Sequence, residues 1–276
     1  MKQGFLIYAH GEDYLKQAIL CTMSILVNNP SALVSIVTNN KVGEKYTGLF
    51  DKIIDIPWYK KSDSRYQCEH RWKLYHVTPY DRTLVLDADT LVLQNIDNWW
   101  QYLQSYKIYY PSAVQTYRST VVKKSPYRKA FVNNNLPDFY NVIHYFEKST
   151  TAHEFYHWLE LVCNNWELFY GSFVKENYPK YPSMDVSTAI VSKILHNEKN
   201  ISSKKENIIK ITHMKNQIQG WSQVKSSWIK QIGVYLNNKM HLIIGNYKQN
   251  GIFHYTEHHF VTDDIMNQYE KRLGII

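Results

Sequence analysis

The chain has 276 residues, 44% of them hydrophobic, with 23 tyrosines and 8 tryptophans; this is enough apolar material for one sizeable core and excludes a disordered chain. Three cysteines, Cys21, Cys68 and Cys163, stand far apart in no metal or redox spacing, and their odd number argues against a secreted disulfide framework, so a reducing, cytoplasmic setting is expected. The formal net charge of +8 favours an anionic partner, whether a small phosphorylated ligand, a nucleic acid or a membrane surface, without choosing among them.

Residues 5–8 read as a first strand; the apolar stretch there is too short for a signal-peptide core, and no run of about 18 apolar residues follows anywhere, so no transmembrane segment is expected. Leu15, Ala18, Ile19, Thr22, Met23 and Leu26 recur at helical spacing within 14–27. Strands are expected at 33–37 and 52–56, a helix at 71–77 that stops before Pro79, and a strand ending at Asp87 with a second apolar run at 90–93 behind it. This alternation predicts an α/β protein with a mostly parallel sheet flanked by helices, and ligands of such sheets bind outside the carboxyl ends of the strands.

The second half is less regular. A strand-like segment at 139–146, helices at 151–166 and 187–195, a strand at 208–212 and a helix around Trp228 are expected, with 119–135 as the most mobile stretch. No internal repeat or proline-rich linker marks a boundary, so a single domain spanning 1–276 is expected, its C-terminal part an irregular elaboration.

Asp87 and Asp89 carry the chemistry most directly. The apolar runs on either side place them at the end of a buried strand, where residues two apart point the same way. Two like charges there need a cation, and a divalent metal shared with a phosphorylated ligand supplies one.

The piece WKLYHVTPYDRTLVLDADTLVLQNIDNWW, residues 72–100, resembles the family 8 glycosyltransferases of the GT-A fold, glycogenin-like enzymes in particular. The resemblance implies a Rossmann-like fold whose first hundred residues hold a UDP-sugar and whose remainder, 101–276, takes the acceptor. It implies that Asp87 and Asp89, with Ala88 between them, hold a manganese (or magnesium) ion on the donor diphosphate and that Lys73 serves as a donor-side cation. FLIYAHGEDYLKQAILC is similar to the family's first strand-helix unit, which implies that backbone at Tyr8 and Ala9 and the ring of Tyr14 hold the uracil.

NIIKITHMKNQIQGW, residues 207–221, resembles the strand and loop that carry the third metal ligand, which implies His213, with Trp221 eight positions on. Asn216, Gln219 and Gly220 depart from that pattern, and Lys215 is expected to replace the missing phosphate cation. His254, within GIFHYTEHHF, is the alternative third ligand. Ser183-Met184-Asp185-Val186 resembles the helix-starting motif in which an aspartate approaches the transferred sugar, implying a catalytic role for Asp185; as a residue it is also a good helix N-cap. In FYNVIHYFEKS the family's Asn and Gly fall on Tyr140 and Val142, leaving Asn141 polar, so the acceptor side is expected to be remodelled.

The resulting expectation is a metal-dependent, retaining hexosyltransferase acting from a UDP-hexose on a glycan, a glycolipid or a hydroxymethylated base in DNA. Two other readings compete. His153, Glu154 and His157 match the HExxH pattern of zinc metallohydrolases, with Glu176 as a third ligand. Basic clusters at Lys123, Lys124, Arg128 and Lys129 and at 199–205 fit a non-catalytic nucleic-acid-binding protein, and the first of them is expected to overhang the acceptor side.

Overall fold

A computed structural model describes residues 1–58, 67–123, 128–202, 209–221 and 227–276, at 67–69 for the backbone alone. Lys124, Lys204 and Lys205 of the two basic clusters, the Cys68 side chain and the first residue of the strand expected at 208–212 lie outside it.

The first half runs β1 (Gln3–Ala9), α1 (Glu12–Asn28), β2 (Val34–Thr38), α2 (Glu44–Thr47) and β3 (Lys52–Asp55). A 3-10 segment (Gln67–Lys73) then leads into α3 (Leu74–Val77), β4 (Arg82–Asp87), β5 (Thr90–Val92), α4 (Asp97–Leu103) and β6 (Ile108–Tyr109). Next come α5 (Lys129–Asn133), β7 (Ile143–Glu147), α6 (Thr150–Asn164), α7 (Trp166–Phe173) and α8 (Met184–Ile194). The last part holds β8 (Ile211–His213), α9 (Asn216–Gln219), β9 (Val234–Leu236), β10 (Leu242–Ile244), β11 (Tyr247–Lys248), β12 (Ile252–His254) and α10 (Asp263–Leu273).

The main sheet has the order β3-β2-β1-β4-β7-β6; β1 to β4 are mutually parallel, and β7 runs antiparallel to both β4 and β6. It is therefore the mostly parallel sheet expected, but it is completed by strands from beyond residue 100. A second sheet, β5-β12-β8, and a three-stranded meander, β11-β10-β9, stand beside it.

Strand alternation sorts the core into two layers. Phe5, Ile7, Leu84 and Leu86 face α1, α4 and α10, while Leu6 and Val85 face α6 and α8. Burial on both faces makes these strands continuous apolar runs, each large side chain contributing about 1.5–3 kcal/mol. Asp87 continues the Val85 side and ends at the open edge beneath α8.

The helix signals act locally. Ser149 and Thr262 accept at their helix starts from Ala152 N and Ile265 N, and Gly274 closes α10 in the left-handed region. Several expectations shift. The segment 139–146 becomes strand only from Ile143, because Tyr140 N donates to Pro111 O and Asn141 N to Asp185 instead of to a ladder. The helix expected at 187–195 starts three residues earlier, with Ser183 at its N-cap position and Asp185 inside its first turn, so Asp185 is not the cap. The helix at 151–166 breaks into α6 and α7, and that around Trp228 is a single 3-10 turn (Trp228–Lys230) with a buried indole. Of the stretch expected to be mobile, the described part after residue 127 is pinned by buried Arg128 and Phe131. No helix among the described residues is long and apolar enough to cross a membrane.

His144 on β7 stacks on Tyr110, ring centroids 5.0 Å apart, and burial, with Arg71 beside it, lowers its pKa to about 3 from 6.5. The unfolded chain therefore binds one more proton than the folded one between those values, so stability falls as pH drops through this window. His144→Phe, which keeps the stack, should remove about 1.4 kcal/mol of acid destabilisation per pH unit between pH 6 and 4, read from urea denaturation at several pH values.

Candidate active site

β4 ends at Asp87, residues 88 and 89 form a turn, and β5 begins at Thr90 in the second sheet. The two aspartates thus do not share one strand face, as alternation alone predicts; the chain turns between them and brings the carboxylates together by a different route. Thr90 Oγ1 donates to Asp87 O (2.7 Å), Asp87 N to Val142 O (2.9 Å) and Tyr255 N to Asp89 O (3.2 Å), which fixes the turn from three sides.

β12 pairs antiparallel with β5, setting His254 opposite Thr90, and its Nε2 lies 3.0 Å from Asp89 Oδ2. Gly251 makes this strand possible: its φ is +73°, and a Cβ there would lie 2.3 Å from Lys210 O. Asp87, Asp89 and His254 each offer a ligand atom within 4.8 Å of the others, the one such group of three among the described residues. Two carboxylates and an imidazole suit a divalent ion such as manganese or magnesium, and the partial exposure of both aspartates leaves room for ligands that the chain does not supply.

His213, the third ligand implied by the family spacing, lies one strand farther out. β8 pairs parallel with β12 in the register His254↔His213, and the two rings stack at 4.4 Å and 12°. Neighbouring strands are about 4.8 Å apart, so His254, on the strand next to β5, reaches Asp89, and His213 backs it instead of joining the carboxylates.

Arg71 Nη2 stands 2.5 Å from Asp87 Oδ1 and also donates to Asn141 O (3.2 Å). Burial, only partly offset by Arg71, raises the Asp87 pKa; Asp89 is also opposed by burial, yet His254 holds it below its ordinary value. Arg71 was not singled out from the sequence, although Lys73 two residues on was. The signal was the same RWK tripeptide, but a 3-10 segment turns about 120° per residue, so positions two apart diverge. Lys73 instead lies over the rings of Trp58 (5.6 Å) and Trp72 (5.3 Å).

Asp185, in the first turn of α8, accepts from Asn141 N (2.9 Å) and Asn141 Nδ2 (3.1 Å) at Oδ1, and pairs with Arg128 at Oδ2. Burial opposes its charge, and Arg128 with Asn141 brings its pKa below the usual carboxylate value. Arg128 is only 3% exposed, so it is no part of the basic surface it was assigned to. Lys215, an exposed residue, borders a cleft of about 330 Å³ with Met214, Asn216, Gln217, Thr256 and Glu257; desolvation lowers the pKa of its ammonium, and Asp185 acts in the other direction.

Tyr8 pairs in register with Asp87 across β1 and β4, and its ring stacks on Trp58. Ala9 is buried at the end of β1, and Gly11 N just beyond donates to Asn39 Oδ1 (3.0 Å). Tyr14, in the first turns of α1 on the same edge, is 46% exposed and meets His258 edge-on at 5.1 Å. The HExxH residues are placed elsewhere: His153, Glu154 and His157 lie exposed on α6, while Glu176 accepts from Asn133 Nδ2 (2.8 Å). Among the described residues they form no metal group, because α6 turns its apolar face, not its histidines, to the protein.

No family model matches the sequence, and no curated protein matches it. Solved structures do. The glycosyltransferase GlyE of Streptococcus pneumoniae TIGR4 is similar at a TM-score of 0.51 and 12% identity over 99% of this chain, which spans 63% of that protein. The galactosyltransferase LgtC, crystallised with donor and acceptor sugar analogues, is similar at 0.53 and 11% identity, covering 98% of this chain and 95% of that one. Mouse xyloside xylosyltransferase 1 gives 0.51 at 9% identity, covering 93% and 98%. At such identities the likeness is one of fold, and the fold is that of the GT-A glycosyltransferases.

The strand register generates a direct expectation. His254→Ala should weaken manganese binding far more than His213→Ala, because His254 offers an atom to the group of three and His213 stands behind its ring. Calorimetric titration of both variants with Mn2+ checks it, and the reverse order would exchange the two histidines.

Proposed function

We propose that the chain is a metal-dependent glycosyltransferase that moves a hexose from a UDP-sugar to a hydroxyl of a glycan or glycolipid acceptor. The observation that carries this is the group Asp87, Asp89 and His254 at the carboxyl ends of parallel strands, in a fold matched by glycosyltransferase structures. The resemblance of residues 72–100 to the family 8 enzymes agrees with it.

The parts divide as follows. Tyr8, Ala9 and Tyr14 line the edge where a uridine would lie. Asp87, Asp89 and His254 would hold a manganese or magnesium ion, which when bound supplies charge neutralisation for a diphosphate leaving group. Lys215 adds positive charge within the field of Asp185, Asp89 and Asp87. Asp185 stays ionised among its donors and would face the positive charge that grows on the departing sugar. Retention of the anomeric configuration is the outcome that the family resemblance implies.

Arg128 bears on the acceptor. With that cation spent inside the protein, the described part of the first basic cluster retains Lys123 and Lys129 as exposed charges. This favours a neutral saccharide over DNA. Transfer should therefore show almost no salt dependence, where a DNA acceptor would give a log-log slope of about −0.7 to −0.9 per phosphate contacted.

Release of UDP from a panel of UDP-hexoses, with and without chelator, tests the proposal. Chelation should abolish it and Mn2+ restore it. Asp87→Asn and Asp89→Asn should each lower turnover at least 100-fold with melting intact, while His153→Ala and His157→Ala should leave it within about twofold. Full turnover in chelator, or by folded Asp87→Asn, would falsify the assignment.

A further inference from the structure

Arg128 stands at the head of α5 and joins two parts of the chain that are far apart in sequence. Its Nε donates to Asp138 Oδ1 (2.6 Å), Nη1 pairs with Asp185 and Nη2 donates to Phe139 O. The flat faces of the guanidinium are enclosed as well, with the Phe131 centroid 3.9 Å away and the Tyr140 centroid 4.3 Å away. Asn141, at the end of the same segment, gives two more donors to Asp185 and one to Thr188 Oγ1 (3.3 Å) on α8. Residues 128–141 thus hold Asp185 at both of its oxygens.

We propose that Arg128 is a positioning residue: it fixes the rotamer of Asp185 and latches the 128–141 segment onto α8, so that the acceptor wall and the sugar-facing carboxylate move as one body. The part assigned to Asp185 rests on the glycosyl-transfer reading above; the latch itself does not.

The physical basis is the cost of a buried charge. A guanidinium with 3% exposure is tolerable only if carboxylates and a carbonyl satisfy it, and removing one partner strands the other. Its planar fork meets Asp138 and Asp185 along two different edges, a geometry that a lysine ammonium cannot reproduce. The ring faces contribute cation–π attraction and block other rotamers. Asp185 is therefore held by partners that all come from the acceptor side.

The test uses Arg128→Gln, Arg128→Lys, Asp185→Asn and the double variant Arg128→Gln/Asp185→Asn in the full chain. With a UDP-sugar that the wild type turns over, Arg128→Gln should lower kcat for transfer roughly 10- to 100-fold, the scale of a misplaced reacting geometry, with the donor KM within about twofold. Arg128→Lys should recover only part of this loss. Adding Arg128→Gln to Asp185→Asn should cost less than about threefold more, because Arg128 acts on transfer through the Asp185 carboxylate that is already lost. A wild-type kcat in folded Arg128→Gln, or losses that multiply, overturns the proposal. If the wild type turns over no nucleotide-sugar, the reading of function fails and melting decides the latch: Asp185→Asn should lower Tm by several degrees in the wild type and hardly at all beside Arg128→Gln, whereas equal drops in both backgrounds refute it.

Discussion

Burial opposes the charges of Asp87, Asp89 and Asp185 at the open edge of the sheet, and the need to offset that cost governs how the rest of the site is built. Each has its own cationic or donating neighbour: Arg71 on Asp87, His254 on Asp89, and Arg128 with Asn141 on Asp185. The neighbours come from a 3-10 segment, the last strand of the second sheet and the segment before β7. Elements spread over the chain are therefore tied to one electrostatic centre. The pattern also separates roles: Asp87, raised by burial, and Asp89, lowered by His254, are the pair a cation would neutralise, while Asp185 is already satisfied by groups of the protein.

The turn at residues 88 and 89 is the joint on which this depends. By leaving the main sheet after Asp87, the chain carries β5 into a second sheet whose next strand, β12, supplies His254. Had β4 continued for two more residues, Asp89 would have stayed in the main sheet, away from that histidine. Cys21 and Thr90 lie beneath the joint, 3.4 Å apart between Sγ and Oγ1. Burial pushes the Cys21 thiol up to about 12, so it acts as a packing group and not as a nucleophile.

The presence and parallel direction of β1 to β4 were legible because each is a short β-branched or aliphatic run in a strand-helix alternation, and the carboxyl-end rule then located Asp87 and Asp89. What stayed hidden depends on long-range pairing. His213 carries the family spacing to Trp221, but only the register of β8, β12 and β5 shows that His254 occupies the adjacent strand. That Arg71 reaches Asp87 depends on the local 3-10 geometry, which a single sequence does not declare. The C-terminal helix α10 and the β9 to β11 meander were not foreseen, because α10 is polar along most of its length and the meander strands are two or three residues long.

Net charge was a poor guide for a related reason. A count of +8 treats Arg71 and Arg128 as surface cations, whereas both are bound to carboxylates inside the site. What encloses the faces of Arg128 is apolar instead: the ring of Tyr140 on one face, that of Phe131 on the other, with Val142 buried beside β7. Tyr140 and Val142 are the positions at which the family pattern has Asn and Gly. With an aromatic and a branched side chain at these two positions, the polar contacts of residues 128–141 with Asp185 come from Asn141 and Arg128.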